Sequence, residues 1–329
     1  MRPIFILMSL DSGAEMTVQV IDRTTRLNMV DHESVESNTL EIDLDDRDGR
    51  LILPDNGERL RLMLGYAGGP VETMGDFVVD EAGLSGPALR MTVSAKGVDL
   101  LKGLKAPRAE AWHALTLGEL VDTICTRHGL EPRVHERIRP WPIPHIDQVG
   151  ESDMALLTRF ASEWDLTLRC EGDLLILRPH AARLDPTDPL LPPSTHLHAR
   201  QISRYQWRRK SRTRYGAVRA WYRDLDQASR ISVLVGDADG PVLDLRHDAR
   251  DRDEAVREAD ARLAQLQRGT ASLTLTLPGD PRIRAGARLT IEGLRDPIPE
   301  TAWVVERVPH CIAAGGYTTE VEAVSTESL

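Results

Sequence analysis

The chain has 329 residues, too many for one ordinary core and suited to two or three modules. Hydrophobic residues make up 41%, enough to bury such cores, and 51 acidic against 41 basic residues leave a net charge of −10. That balance argues against a general nucleic-acid binder, which needs a basic face to displace counterions from phosphates.

The apolar start Ile4–Met8 is too short for a signal-peptide core, and no run approaches the length of a membrane span, so synthesis in the cytoplasm is expected. From Thr39 to Leu44 apolar and polar residues alternate, the period of a strand with one buried face. Turn formers at Pro54–Gly57 lead to further strands over Arg59–Tyr66, Gly75–Glu81 and Leu89–Val93. The pattern then changes to helix. Thr116 and Glu119 form a capping box, Leu117, Leu120, Val121, Ile124 and Cys125 keep one face, and Gly129 stops a helix spanning about 116–128. After the proline-broken loop Pro140–Pro144, Ser152 caps a second helix with an apolar stripe of Met154, Leu157, Ala161 and Trp164. Leu166–Cys170 and Leu174–Leu177 make a hairpin. Asp185-Pro186, Asp188-Pro189 and Pro192-Pro193 form a stiff connector.

Strands over Tyr215–Tyr222 and Ser232–Val235 precede a third helix at about 252–268. Asp251 and Glu254 form its capping box, Gly269 terminates it, and Val256, Ala259, Leu263 and Leu266 make a seam expected to pack on the adjacent barrel or on a neighbouring subunit. The end of the chain then repeats the opening order of parts: Ser272–Leu277, the turn Pro278-Gly279, Gly286–Ile291, Thr301–Glu306 and Tyr317–Glu322. Two barrels of one kind are implied, although any two antiparallel β segments align loosely. The expected class is a β-rich α+β multidomain chain: a first barrel over 1–105, an α+β module over 106–183, a connector over 184–198, and a second barrel over 199–329 that carries the third helix.

Chemistry is weakly signalled. Cys125, Cys170 and Cys311 are odd in number, far apart and without metal-ligand spacing, so they read as reduced thiols. His145, Asp147, Glu151 and Asp153 include metal-ligand and acid/base types, but no spacing fixes them on one face. Asp147 and Glu151 are expected to bond backbone amides at the start of the second helix. No nucleophile elbow or phosphate loop is present, and Gly83–Gly86 reads as a turn. No catalytic, cofactor-binding or metal residue is assigned. Arg204, Arg208, Arg209, Lys210, Arg212 and Arg214, interleaved with Tyr205, Trp207 and Tyr215, form one basic patch, read as a solvated strand face or an inter-subunit salt-bridge belt ahead of a nucleic-acid or acidic-partner site. Trp141, expected to be exposed among prolines, either anchors a partner or closes a local core.

Several of these stretches carry a family resemblance. Ser37–Arg50, Met74–Asp80, Trp112-His113 with Thr116–Gly118, Arg127–Leu130, His145–Gln148 with Glu151–Asp153, and then Gly293, Trp303, His310 and Gly316–Thr319 occur in an order that resembles the phage late control D family. The resemblance covers about Thr17 to Glu322. It implies a non-enzymatic, cofactor-free baseplate hub of contractile phage tails and tailocins, similar to the hub half of the type VI secretion spike protein. It further implies a homotrimer with two tube-like barrels per chain and an outer module somewhat like a LysM fold. The implied partners are the tail tube protein, a separate central spike protein, because no needle follows Leu329, and other baseplate proteins including the tape-measure protein. No membrane association and no sequence-specific nucleic-acid binding is implied. Assembly would occur in the bacterial host cytoplasm, and residence in the virion tail baseplate or tailocin particle. Two alternatives remain: a spike-associated peptidoglycan hydrolase, and a DNA-binding regulator as the family name suggests.

Overall fold

The structure, a computed structural model, describes residues 2–34, 38–97, 103–209, 215–224, 228–268, 270–298, 300 and 303–326. The first β unit comprises β1 (Pro3–Ser9), a short helix α1 (Thr17–Val20), β2 (Thr24–His32), β3 (Thr39–Asp45), β4 (Arg59–Tyr66), β5 (Val71–Ser85) and β6 (Arg90–Gly97). Its strands lie in the order β1-β4-β5-β6-β3-β2, with every pair antiparallel. Alternation decides the faces. Leu40, Ile42 and Leu44 of β3 and Leu60, Leu62 and Leu64 of β4 turn inward onto Phe77, while the residues between them stay partly wet. Gly83–Ser85, read from sequence as part of a turn, continue β5; the turn falls at 86–89.

The middle module follows as β7 (Pro107–Thr116), α2 (Leu117–His128), β8 (Glu131–Val134), β9 (Pro142–Ser152), α3 (Asp153–Glu163), β10 (Leu166–Glu171) and β11 (Leu174–Pro179). The Thr116 hydroxyl accepts the Glu119 amide, the Glu119 carboxylate accepts the Thr116 amide at 2.8 Å, and Gly129 takes the left-handed conformation at φ 68° that closes α2. At α3, Ser152 Oγ accepts the Ala155 amide at 3.1 Å. Leu120, Ile124, Leu157, Phe160 and Trp164 fill the core between them. Trp141 is half-buried rather than exposed: it meets Trp164 edge-on at 5.9 Å and so closes this core. The cysteines are free thiols, and burial pushes Cys125 up to about 12.

Pro186, Pro189, Pro192 and Pro193 lie outside helices and strands, and the same stretch ends in β12 (Thr195–His198). β13 (Arg204–Arg209) follows, and then an insert of β14 (Ala217–Asp224), β15 (Ser229–Gly236), β16 (Val242–Ala249) and α4 (Arg252–Gln267). The α4 seam packs on the insert's own sheet instead of on an adjacent barrel. Ala255, Ala259 and Leu263 cover Val218, Ala220 and Ala249 of a separate three-stranded sheet, because β14–β16 present an apolar face of their own. Asp251 accepts the Glu254 amide, but the Glu254 carboxylate bonds the Arg250 amide and guanidinium, so the box is only half made; Gly269 lies outside the described residues. The insert leans on the middle module through Gln265 Nε2 to Ser162 O and ion pairs Arg268–Asp165 and Arg183–Asp260.

The second β unit closes with β17 (Ala271–Pro278), β18 (Arg288–Glu292), β19 (Trp303–Ala313) and β20 (Gly316–Ser325); Thr301 and Ala302 are outside the described residues. Its order, β12-β18-β19-β20-β17-β13, repeats that of the first unit position for position, except that β12 runs parallel to β18 where β1 is antiparallel to β4. The two units join into a 12-stranded sheet through β2 and β19. They also meet where the Tyr66 hydroxyl donates to Gly279 O at 2.9 Å and the Tyr66 and Tyr317 rings lie 5.8 Å apart. Among the described residues no helix is long and apolar enough to cross a membrane.

A Cβ at Gly279 would overlap the buried Tyr317 ring. Gly279→Ala is therefore expected to destabilise the chain by about 1–3 kcal/mol, read as a lower denaturant midpoint at unchanged slope.

Candidate functional site

Three bodies meet along the β2–β19 pairing. Up to Val304 the outer edge of β19 is taken by β18, and the Val305 amide and carbonyl bond Ala287 O and the Gly286 amide. A bulge follows between Val305 and Arg307, and from there the same edge is taken by β2, running antiparallel from His32–Arg307 to Arg26–Ala313. Leu27, Met29 and His310 on this joint are 0% exposed.

Two buried acids, Asp31 near the end of the ladder and Glu33 just past β2, reach the middle module. Asp31 accepts the Ala285 amide at 2.9 Å and Arg169 Nη2 from β10 at 2.8 Å, and Arg169 also donates to His32 O and Ala285 O. Glu33 lies 3.3 Å from Arg178 Nη2 of β11. Burial pushes the Glu33 carboxyl up and the Arg178 guanidinium down, each opposed by the charge of the other. At Arg169 burial is outweighed by Asp31 and Glu171, and the guanidinium is held above its usual range. Sequence reading missed both acid–arginine pairs, whose partners are more than a hundred residues apart. On the far side of the joint, His310 Nδ1 meets the Tyr317 hydroxyl at 2.9 Å and Thr319 Oγ1 at 3.1 Å, and burial lowers the imidazole to about 4. Between the first unit and the middle module lies a cleft of about 780 Å³, lined by Met74, Phe77, Arg133, Leu174 and the two joint arginines.

The residues flagged for metal or acid/base chemistry are dispersed. His145 stacks on His113 and reaches Asp147 at 3.1 Å; Glu151 pairs with Arg159; neither Asp147 nor Glu151 bonds the α3 amides, which Ser152 caps instead. Asp153 is fully buried beneath Gln148, His128 and Arg127, at 2.9, 2.7 and 3.1 Å. Burial alone would raise its carboxyl, but these hydrogen bonds outweigh it and hold it low, so it staples β9 to the end of α2. Among the described residues no group of three or more His, Cys, Asp or Glu is placed to hold a metal.

The basic patch falls on a sheet edge. Among the described residues β13 pairs only with β17, and Arg204, Arg208 and Arg209 make no ion pair within the chain. Tyr205 is 44% exposed, Trp207 is half-buried with its Nε1 unpartnered, and Lys210, Arg212 and Arg214 lie outside the described residues. The distal half of β5, residues 80–85, is a second open edge: β4 and the residues just before it bond β5 no further than Val79, and among the described residues only β6 pairs with β5 beyond it.

Comparison with known proteins places this geometry. Residues 37–316 match the family described as phage tail baseplate hub (GPD). A probable baseplate hub protein of Escherichia phage 186 is 31% identical, with the alignment covering 98% of this chain and 92% of the relative. The 43 kDa tail protein of prophage MuSo2 from Shewanella oneidensis has the same fold at TM-score 0.75 and 14% identity, covering 99% of both chains. An Escherichia coli component of the type VI secretion system aligns at TM-score 0.56 and 11% identity over 93% of this chain and 75% of its own.

Removing one member of a buried pair strands the other charge. Arg178→Met is expected to cost about 3–5 kcal/mol in urea unfolding, and Arg178→Met with Glu33→Leu clearly less. His310, lowered to about 4 by burial, stays neutral in the folded chain while its unfolded counterpart takes a proton. Its contribution is present above about pH 6.5 and is lost as pH falls toward 4, about 3 kcal/mol in all. In His310→Gln, the fall in melting temperature between pH 6.5 and 4.5 should be correspondingly shallower than in the parent.

Proposed function

The chain belongs to the phage tail baseplate hub (GPD) family, and from that premise we propose that it is the homotrimeric symmetry adaptor of a contractile tail, joining a six-fold tail tube to a three-fold central spike. One observation carries the reading: a single chain holds, side by side in one sheet, two units of identical strand order. Three such chains present six similar units on one face while the ring keeps the three-fold symmetry of a spike on the other. In this reading each unit is a tube-like barrel, with segments 1–105 and 199–329 forming the tube, the LysM-like module over 106–183 on the outside, and the 184–198 connector between them. The partners are the tube protein, a separate spike protein and neighbouring baseplate proteins. Assembly takes place in the host cytoplasm before incorporation into the particle.

The chemistry of these side chains supports a structural role over the alternatives. Glu151 and Asp153 are neutralised by arginines instead of being held free for glycosidic acid/base work. The net charge of −10 disfavours a DNA-binding regulator. Imaging of assembled tails tests the proposal: three copies are expected at the tube–spike junction, and six copies there, or none, would overturn it.

A further inference from the structure

The joint inside the chain is a template for a joint between chains. In the first unit the Val79 amide bonds Glu58 O at 2.9 Å and its carbonyl accepts the Gly57 amide at 2.8 Å; in the second, Val305 makes the same two bonds with Ala287 and Gly286 at 3.0 and 2.7 Å. Val79 pairs with Ala95 and Val305 with Ala323, and each strand bulges at the next residue, between Val79 and Glu81 and between Val305 and Arg307. β5 and β19 are thus in register, with Leu84 equivalent to His310 and Gly83 to Pro309. The edge strands align in the same way. Leu40 lies between Ala95 and Met29, Leu273 between Ala323 and Trp207, so Trp207 is equivalent to Met29 and Tyr205 to Leu27.

Within the chain, β2 occupies the distal edge of β19, and Met29 faces His310 with both 0% exposed. Among the described residues the equivalent edge, β5 at 80–85, is open, and the equivalent of β2, β13, has no outer neighbour. Leu84 is 58% exposed and Tyr205 44%, where their counterparts His310 and Leu27 are buried.

We infer that β13 of one chain adds to the distal half of β5 of a second copy, antiparallel, with Trp207 opposite Leu84, Arg208 opposite Gly83 and Arg209 opposite Ala82. The inference rests on the ring reading above and specifies its contact. The pairing satisfies two open backbone edges at once and brings the exposed Leu84 onto Trp207, continuing the second core, against which Trp207 already packs. It sets Arg208 diagonally across from Glu81, and among the described residues neither is paired within its own chain. Charge therefore favours this register, with the basic strand on the acidic edge. The contact is head-to-tail, so each chain offers one donor strand and one acceptor edge and a ring closes without a free end.

Cysteine pairing in tails assembled from the full chain tests the register. Directly opposite residues lie within disulfide reach, whereas a slip of two residues exceeds it. Trp207→Cys with Leu84→Cys should cross-link chains up to a reducible trimer band, and Trp207→Cys with Ala82→Cys should give little or none. Arg208→Cys with Gly83→Cys repeats the test without touching the core. Leu84→Asp should leave the melting temperature of the free chain unchanged and abolish its incorporation into tails. If tails show three copies but the slipped pair cross-links better, neither matched pair does, or Leu84→Asp incorporates normally, this joint is wrong while the ring stands. If tails lack a ring of three, the ring reading itself fails.

Discussion

A sheet with open edges exposes unpaired amides and carbonyls, and the way this chain satisfies one such edge governs its architecture. β19 is too long for β18 alone. After its bulge the remaining ladder is completed by a strand from the other end of the sequence, so the two units are fused through backbone hydrogen bonds along β2. Such a ladder fixes both the distance and the rotation between units far more tightly than a linker. Asp31 of this strand and Glu33 just past its end reach Arg169 and Arg178, so the middle module is held to the joint. The cost of burying these charges is tolerable only because each is paired, which makes the joint sensitive to the loss of any one partner.

The remaining bodies follow from that anchor. The middle module has its own core and touches the joint through Arg169 of β10 and Arg178 of β11. The β14–β16 insert, capped by α4, rests in turn on the middle module through Arg268 and Gln265. Neither contributes strands to the 12-stranded sheet, whose β13 edge carries no further strand among the described residues. In the proposed ring, these bodies decorate a wall made of the β units.

Much of this was legible in the sequence where the signal is local. Period-two alternation marks β3, strand segments between turn formers mark β4, β17 and β20, and the capping chemistry of Thr116, Ser152 and Asp251 marks the three long helices. The repeated order of parts pointed to two like units, which the matching strand orders bear out. β1 is hidden because the apolar run that holds Phe5 and Leu7 also reads as the start of a targeting segment, and β2 because Thr24–Arg26 dilute its alternation. What sequence could not show is what depends on distant partners: the β2–β19 register, the Asp31–Arg169 and Glu33–Arg178 pairs, and the separate sheet beneath α4. The His145–Asp153 stretch looked like chemistry because it gathers acids and histidines; the chain disperses them among arginines and a buried glutamine.

Amide hydrogen exchange compares the filled and the open joint directly. In the free chain, amides of residues 26–32 and 307–313 should exchange as slowly as those of β3 and β4, while the outward-facing amides of 80–85 and 204–209 exchange fast and become protected only in assembled tails. Rapid exchange at 26–32 and 307–313 in the free chain, or no gain of protection at 80–85 and 204–209 on assembly, would contradict the account.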